Sequence, residues 1–319
     1  MHRRDVLKAG LATAAGAFLP SGAFVAADPD AGRLADLSQR LCVFTDHVDD
    51  LGFPVADIAR QYAQLGVGPD LTVRGGGVVA PERVAEDLPT AAAAFADQGL
   101  TIPMISTSVN DLSDPVARPT LETMGSLGIK HYKLGYAHYH GVESWETDVQ
   151  EFAKKLRDLS VVGEPLGITA GIHNHSGESI GGPLWDVPLV LDAVGSSGVC
   201  SYFDPAHATL EGANFGWKIG FHRLIPRIGM LAVKDFVWVK ENGQWRTRWC
   251  PLGEGLVRWP EFCDMLAGTD FSGPISVHIE YAIEGSTKVE RFDNCLAAAE
   301  RDLAFIKREL QRAYGAASV

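Results

Sequence analysis

Basic residues and cysteines are scarce in this sequence. Its 319 residues include 28 lysines and arginines against 40 aspartates and glutamates, which gives a formal net charge of -12 at pH 7. A surface this acidic repels phosphate backbones, so the composition argues against nucleic acid as a partner. The five cysteines form no CxxC motif, and their odd number leaves at least one thiol unpaired; which of the others pair, if any, stays open.

The first 27 residues form a weakly apolar segment that is rich in Ala, Gly and Leu and is interrupted by Pro20. Arg3 and Arg4 precede this segment, and the small residues Val25 and Ala27 stand before a cleavage point at Asp28. The pattern is typical of a twin-arginine export signal, with a membrane anchor as the alternative. We therefore expect a signal peptide at 1–27, a mature domain at 28–319, and a periplasmic or secreted protein with no stable membrane insertion after cleavage.

After the signal segment the sequence alternates short β-branched runs with amphipathic segments. The predicted strands are 41–47, 69–74, 100–107, 129–135, 167–173, 198–204, 228–235 and 273–280. Apolar residues at helical spacing predict helices between them, for example over 55–66, 83–99, 142–163 and 289–310. Strand–helix alternation implies parallel pairing, and eight such units in about 290 residues suit a single (β/α)8 TIM barrel; a doubly wound open sheet is the alternative.

Polar or ionisable side chains end every predicted strand, whereas the strand starts are mostly apolar. In chain order these side chains are His47, Arg74, Ser106 with Thr107, Lys133, His173 with His175, Asp204 with His207, Lys234 with Asp235, and Glu280. The carboxyl ends of barrel strands form one mouth, which carries the chemistry in this fold. Each group alone could cap a helix or face solvent, but their presence on all eight strands favours a polar active site.

The segment AGIHNHSGES (170–179) raises the question of a metal. His173 and His175 are two residues apart and share one strand face if the strand persists that far. They could then point inward with Asp204 and Glu280. Imidazoles combined with carboxylates suit Zn, Mn, Co or Fe better than Mg or Ca. We expect a metal pocket of these four residues, with a purely structural role for the histidines as the alternative.

Five segments occur in a characteristic order: GITAGIHNHSGE, YFDPAHATLEG, VKDF, PLGEG and VHIEY. In this order the chain resembles the xylose isomerase-like TIM barrels, the sugar phosphate isomerase/epimerase superfamily that also contains endonuclease IV. The resemblance runs from about Leu41 to the C terminus. The segments DLTVRGGGVVAPERV and KDFVWVKENGQWRTRWCPLGEG resemble an exported subgroup, some of whose members act on oxidised (keto) glycosides or sugars.

The resemblance implies a divalent metal held by an acid after the fifth strand, Asp on the sixth, His on the seventh and Glu on the eighth. Asp204 and Glu280 match the sixth- and eighth-strand ligands, and His207 matches a substrate-contacting histidine. The fifth-strand acid is replaced by His173, and the seventh-strand position is Ala232. Either a histidine of HNH completes the metal site, or the metal is weak or absent.

Two lysines at strand ends have two interpretations each. Lys234 either forms a structural ion pair with Asp235 or faces a substrate oxygen. Lys133 lies among aromatic residues in HYKLGY, where burial would lower its pKa and suit it to proton transfer. The alternative for Lys133 is a side chain that extends its amine to solvent.

Residues 236–258 are too long for an ordinary connection from a strand to a helix. VWVKENGQWRTRW alternates around Asn242–Gly243, which predicts a β-hairpin insertion after the seventh strand. Flat aromatic faces stack on sugars, so the tryptophans of this insertion favour a carbohydrate ligand, and covering the rim is the alternative. The predicted substrate-binding residues are His47, Arg74, His207, Trp238 and Trp249.

A metal bridging a sugar carbonyl and its neighbouring hydroxyl would acidify the C–H between them. Glu280 or His175 would remove the proton, and His207, Lys234 and Lys133 are further catalytic candidates. The mouth shows no evident arginine cluster for a phosphate group. We therefore predict a Mn-, Co- or Zn-dependent isomerase/epimerase or lyase acting on an unphosphorylated sugar or keto-glycoside.

Two other functions compete with this prediction. A non-catalytic carbohydrate-binding barrel is favoured by Ala232, which cannot ligate a metal. A nuclease like endonuclease IV is disfavoured, because extra histidines and a basic surface are missing. The sequence leaves the choice among isomerisation, epimerisation and elimination open, together with the oligomeric state.

Overall fold

Eight parallel strands close into a barrel, which confirms the predicted (β/α)8 fold. The structure is a computed structural model that describes residue 37 and residues 39–316; the predicted signal peptide, 1–27, lies outside the described residues. The barrel strands are β1 (Leu41–Phe44), β2 (Gly68–Val73), β3 (Met104–Thr107), β4 (His131–Lys133), β5 (Thr169–His173), β6 (Val199–Phe203), β7 (Ile228–Val233) and β10 (Ile275–Val277). Around the barrel their order is β1-β10-β7-β6-β5-β4-β3-β2.

Helices follow the strands and cover the outside of the barrel. They are α1 (Asp46–Asp49), α2 (Val55–Leu65), α3 (Val84–Ala96), α4 (Ala117–Leu127), α5 (Trp145–Gly163), α6 (Asp186–Val194), α7 (Pro205–Leu224), α8 (Trp259–Ala267) and α9 (Lys288–Ala316). Short 3-10 turns occur at Pro81–Arg83, Val142–Ser144, Glu164–Leu166 and Ile225–Arg227. Within the described part of the chain, no helix combines the length and apolarity needed to cross a membrane.

The main core lies between the strands and the helices. Phe203 of β6 packs edge-on against Phe221 of α7 and stacks parallel to Phe262 of α8, and all three rings are buried. Such aromatic pairs stabilise a core by burial and by their ring geometry. This layer fixes β6 and thereby the residues at its carboxyl end.

The pleat of the strands directs the site residues into the barrel. Tyr202 of β6 and Ala232 of β7 belong to a small cluster of buried side chains in the barrel interior. Because the side-chain period of a strand is two residues, the same inner faces continue to Asp204 and Lys234 just beyond the strand ends. The sequence pattern alone therefore aims these two ionisable groups at the barrel axis.

A β-hairpin follows β7, as predicted. β8 (Asp235–Glu241) pairs antiparallel with β9 (Gln244–Cys250). The turn residues Asn242 and Gly243 both have positive φ values, 50° and 81°. Two successive positive φ angles are typical of the two-residue turns whose twist matches a hairpin, and Asn-Gly adopts them at little cost.

Several predicted strands are longer than the observed ones. The predicted strand 41–47 ends at Phe44, so His47 lies on α1 and not on a strand. The predicted strand 100–107 begins only at Met104, after Pro103, which has no N–H to donate to a sheet ladder. The predicted strand 228–235 ends at Val233, and Asp235 begins the hairpin instead.

Candidate active site

A buried ion pair occupies the centre of the mouth. Lys234 Nζ lies 2.7 Å from Glu280 Oε1 and 3.6 Å from Asp204 Oδ2. The Lys234 side chain is only 1% exposed and that of Asp204 is fully buried. The indole ring of Trp249, from the hairpin, covers the ammonium with its centroid 4.5 Å from Nζ. One cation is therefore enclosed by two carboxylates and an aromatic face.

Glu280 has a second partner in His278, whose Nδ1 lies 3.2 Å from Glu280 Oε1. Burial by itself would raise the pKa of Glu280, but the Lys234 ammonium and the His278 hydrogen bond outweigh it. Together they hold the pKa of Glu280 well below its usual range. The carboxylate is therefore ionised at neutral pH, and its affinity for a proton is weak.

Asp204 is oriented by the start of α7. Its Oδ1 atom accepts hydrogen bonds from the backbone N–H groups of Ala206 and His207, at 2.8 and 3.0 Å. The Asn174 side chain bonds both the N–H and the C=O of Asp204, at 2.8 and 3.0 Å. This N-cap arrangement commits Oδ1 to the helix and leaves Oδ2 to face the mouth.

The histidines surround Asp204 Oδ2. His173 Nε2 lies 3.1 Å from that oxygen, and the Tyr136 hydroxyl lies 3.2 Å from His173 Nδ1. His207 Nε2 lies 3.8 Å from Oδ2, is buried, and has no hydrogen-bond partner among the described residues. The structure thus brings His173, Asp204 and His207 together with the Lys234–Glu280 pair.

His173, Asp204 and His207 form a candidate metal-binding cluster, since one ligand atom of each lies within 4.8 Å of the others. The hydrogen bonds of the two histidines indicate that Nε2 of each ring, the nitrogen nearest Asp204, carries the proton. His207 Nδ1 accepts from the backbone N–H and the hydroxyl of Ser176, at 3.2 and 2.8 Å, so a neutral ring carries its proton at Nε2. His173 Nε2 faces Asp204 Oδ2, an oxygen that accepts a hydrogen bond in the carboxylate form, while Nδ1 can accept from Tyr136.

This proton assignment does not fit a divalent ion, because a metal ligand needs the lone pair of the same nitrogen. The seventh-strand position offers no replacement, since Ala232 is buried inside the barrel and carries no donor atom. Glu280 is held by Lys234 and His278 instead of standing free. The predicted ligand set of His173, His175, Asp204 and Glu280 therefore stays a prediction, and no catalytic step is derived through a metal.

His175 lies beside His207 and carries its proton on the other ring nitrogen. Its Nδ1 lies 2.9 Å from the carbonyl oxygen of Ser176, which only accepts, so Nδ1 carries the proton and Nε2 carries the lone pair. The ring is half-buried, with its centroid 4.1 Å from that of His207. Burial, and next the Lys234 charge, lowers the pKa of His175, so the imidazole is neutral at neutral pH. A neutral imidazole with a free Nε2 is a suitable general base.

Lys133 is buried beside the site, with Nζ 3.8 Å from the ring centroid of Tyr136. Burial, followed by the charge of Arg74, lowers the pKa of Lys133 to about 7. The lysine is therefore enclosed and not extended to solvent. An amine that titrates near neutrality can both donate and accept a proton, and the assignment of Lys133 as a proton-transfer group stays a prediction.

A cavity of about 630 Å³ opens beside the ion pair, and its lining includes His47, Arg74, Trp249 and Glu280. Burial lowers the pKa of His47 to about 4, so this histidine is neutral there. Arg74 pairs with Asp46 and, at 3.3 Å, with Asp49. Three of the predicted sugar-contacting residues therefore line one cavity.

Trp238 and Trp245 do not line this cavity. They stand on the outer part of the hairpin, 44% and 65% exposed, whereas Trp249 near its base contacts Lys234 and His207. The assignment of Trp238 to substrate binding stays a prediction. The geometry favours Trp249 as the ring that meets a ligand.

Asp235 has a structural role and does not pair with Lys234. Its carboxylate accepts hydrogen bonds from Trp259 Nε1 at 2.8 Å and from four backbone N–H groups, those of Phe236, Gly253, Gly255 and Val257. Two backbone donors of the PLGEG turn, the N–H groups of Gly253 and Gly255, are therefore bound to Asp235. The interpretation of Lys234 as the ion-pair partner of Asp235 is wrong, because Lys234 pairs with Glu280 and Asp204 instead.

Sequence reasoning missed a polar chain that reaches into the barrel behind Glu280. His278 Nε2 lies 3.0 Å from the Tyr202 hydroxyl, which lies 3.3 Å from Asp70 Oδ2. Ser106 and Ser276 also donate to Asp70, at 2.9 and 2.8 Å. The available signal was spacing, since His278 stands two residues before Glu280 on the same strand face.

The closed parallel barrel, with its polar mouth at the carboxyl ends of the strands, defines a (β/α)8 protein. The chain belongs to the xylose isomerase-like TIM barrel family, whose model matches residues 80–309, more than half of its length. No protein of curated function matches the sequence.

Solved structures share the fold at low sequence identity. A D-psicose 3-epimerase with D-tagatose from Clostridium cellulolyticum H10 has a TM-score of 0.65 at 12% identity, covering 85% of this chain and 99% of that chain. The probable 3-DHS dehydratase AsbF of Bacillus anthracis has a TM-score of 0.62 at 15% identity, covering 83% and 98%. A Mycobacterium smegmatis barrel in complex with magnesium has a TM-score of 0.61 at 15% identity, covering 83% and 92%.

Proposed function

We propose that the protein is an isomerase or epimerase that removes a proton next to a carbonyl group of an unphosphorylated sugar or keto-glycoside. The observations that carry the proposal are the fixed ammonium of Lys234 at the mouth of the barrel and the neutral His175 imidazole, which packs on His207 and carries its lone pair at Nε2. A hydrogen-bond donor for a developing oxyanion and a base for a carbon acid are the two elements this reaction needs. The names of the fold relatives, epimerases and a dehydratase, support the same class of chemistry.

Each step of the proposed reaction is assigned to particular residues of the site. His175 Nε2 takes the proton from the carbon, and the C–H electrons form the carbon–carbon double bond of an enediolate. The carbonyl oxygen gains the negative charge, which the N–H groups of Lys234 and of His207 Nε2 stabilise. Return of a proton to the other face or to the neighbouring carbon gives the epimer or isomer, and Lys133 is the candidate donor. Loss of a β-substituent from the same enediolate would give elimination.

The charges of the cavity favour an uncharged substrate. Arg74 is offset by Asp46 and Asp49, and Arg291 pairs with Asp50 at 2.7 Å. Glu280 adds a further carboxylate to the cavity wall. No unpaired arginine is therefore offered to a phosphate group within the described part of this wall, whereas Trp249 offers a flat face to a sugar ring.

The reaction described above does not pass through a metal; a divalent ion such as Mn, Co or Zn, if one were bound, would supply Lewis-acid polarisation of the carbonyl. Its presence stays a prediction from the family resemblance. The export of the mature protein to the periplasm likewise stays a prediction, and a periplasmic location agrees with an unphosphorylated substrate.

The test measures the exchange of carbon-bound hydrogen for solvent deuterium in a panel of sugars. The mature protein is incubated in D2O with ketoses, aldoses and keto-glycosides, and NMR follows deuterium at the carbon next to each carbonyl. We expect exchange with at least one substrate, and a loss of at least about 100-fold in His175→Phe, because general-base catalysis contributes about that much. Saturable sugar binding without exchange, in folded wild-type protein, would identify the competing carbohydrate-binding barrel and contradict the enzyme.

A further inference from the structure

The family resemblance implies a divalent metal ion whose ligands include an Asp on the sixth strand, a His on the seventh and a Glu on the eighth. In this chain both carboxylates are present, Asp204 and Glu280, but the seventh-strand position is Ala232. The Ala232 side chain is fully buried in the barrel interior. The two carboxylates therefore need another source of positive charge, because unpaired buried charges are strongly unfavourable.

Lys234 supplies that charge from the same strand face, two residues further along. Its Nζ reaches Glu280 Oε1 at 2.7 Å and Asp204 Oδ2 at 3.6 Å, and Trp249 covers it. The ammonium thus stands between the two side chains that would have shared a metal ion.

The donors around Asp204 Oδ2 complete the same arrangement. His173 Nε2 donates to Oδ2 at 3.1 Å, and the bond from Ser176 N–H to His207 Nδ1 places the His207 proton at Nε2. The nitrogens nearest the carboxylate all carry hydrogen. A metal ion would need both imidazoles to change their protonation and the ammonium to leave.

We propose that the ammonium of Lys234 is the built-in cation of this site and replaces the divalent metal. It neutralises Asp204 and Glu280 and presents an N–H group to a substrate oxygen. The second role rests on the proposed function; the first concerns metal binding alone and stands without it.

The experiment measures metal binding directly. Wild-type protein, Lys234→Met and the control Lys154→Met, which removes an exposed lysine on α5, are titrated with Mn2+, Co2+ and Zn2+ by calorimetry. We expect wild type and control to bind these ions only weakly, and Lys234→Met to bind at least one of them about tenfold or more tightly, since two carboxylates lose their cation. Adding Asp204→Asn to Lys234→Met should abolish the gain.

A second measurement decides the case if Lys234→Met does not fold. The metal content of purified wild-type protein is determined before and after excess chelator, and sugar exchange is compared in the two samples. We expect no stoichiometric metal and unchanged exchange. One equivalent of divalent ion that Asp204→Asn loses, or exchange that chelator abolishes in folded protein, would overturn the proposal. Absence of exchange in every sample contradicts the proposed function instead, and the metal content still decides this inference.

Discussion

The backbone N–H of Ser176 donates to His207 Nδ1 across 3.2 Å, and this one bond sets which nitrogen of His207 can meet a ligand. A backbone N–H cannot reverse its direction, so Nδ1 accepts and Nε2 carries the proton of the neutral ring. The buried Nε2, which has no partner among the described residues, is then a donor aimed at the mouth. His207 is suited to bind a substrate oxygen rather than a cation.

The tautomer of His207 can be observed by 15N NMR of the imidazole nitrogens. We expect the signal of an unprotonated nitrogen at Nδ1 and of a protonated nitrogen at Nε2. Ser176→Ala removes the hydroxyl but keeps the N–H donor, so the same tautomer should persist. A protonated Nδ1 in the wild-type protein would contradict the assignment and reopen His207 as a metal ligand.

Separating the Lys234–Glu280 pair should destabilise the fold. Removal of one partner of a buried pair costs about 3–5 kcal/mol, and the partial exposure of Glu280, 22%, places Glu280→Ala near about 3 kcal/mol. The measurement is urea unfolding of Lys234→Met, Glu280→Ala and the double variant. The double variant should lose less than the sum of the two single losses, because each change removes the same contact. Strict additivity would show that the two side chains do not interact in solution.

Lys133 should make stability depend on pH. The pKa of this amine falls from 10.5 to about 7 on folding, chiefly through burial. Between these values the unfolded chain holds a proton that the folded protein has released, so the free energy of unfolding rises with pH across this window. Below about pH 7 both states are protonated and the contribution is constant. Unfolding of Lys133→Met should show a flatter rise than wild type, whereas Lys154→Met should match wild type.

Asp235 should anchor the segment that follows the hairpin. Asp235→Ala leaves the indole N–H of Trp259 and several backbone donors without their acceptor, which we expect to cost about 3 kcal/mol of unfolding free energy. Trypsin should then cleave faster at Arg246 and Arg248 in β9. Asp264→Ala, which removes an exposed carboxylate, should change stability by less than about 0.5 kcal/mol. Equal cleavage rates in both variants would mean that Asp235 does not hold this segment.

The barrel and its mouth could be predicted because they depend on local patterns. Strand–helix alternation indicated the parallel barrel, and Asn242–Gly243 indicated the hairpin. The positions of Asp204 and Glu280 at the ends of predicted strands indicated that both belong to the mouth. These signals lie within a few neighbouring residues. The tertiary structure does not override these local patterns, because each strand of the barrel is buried on both faces.

The choice of partners could not be predicted in the same way. Lys234 pairs with Glu280, 46 residues away, and not with its neighbour Asp235, whose side chain turns to the opposite side of the strand. The contact between His278 and Tyr202 crosses the barrel interior. Such pairings depend on barrel register and side-chain reach, neither of which a linear sequence displays. The helical position of His47 was missed because a strand that stops at Phe44 has no local stop signal.

The hydrogen bonds that the Asp235 carboxylate accepts have a practical consequence for engineering. Asp235 ties Gly253, Gly255 and Val257 to the root of the hairpin, while Trp238 and Trp245 further out are 44% and 65% exposed. The outer residues can therefore be exchanged as a cassette, with the root and the catalytic floor left intact. Libraries randomised only between Trp238 and Trp245 would change the outer surface of the hairpin and leave Trp249 and the Lys234–Glu280 pair in place.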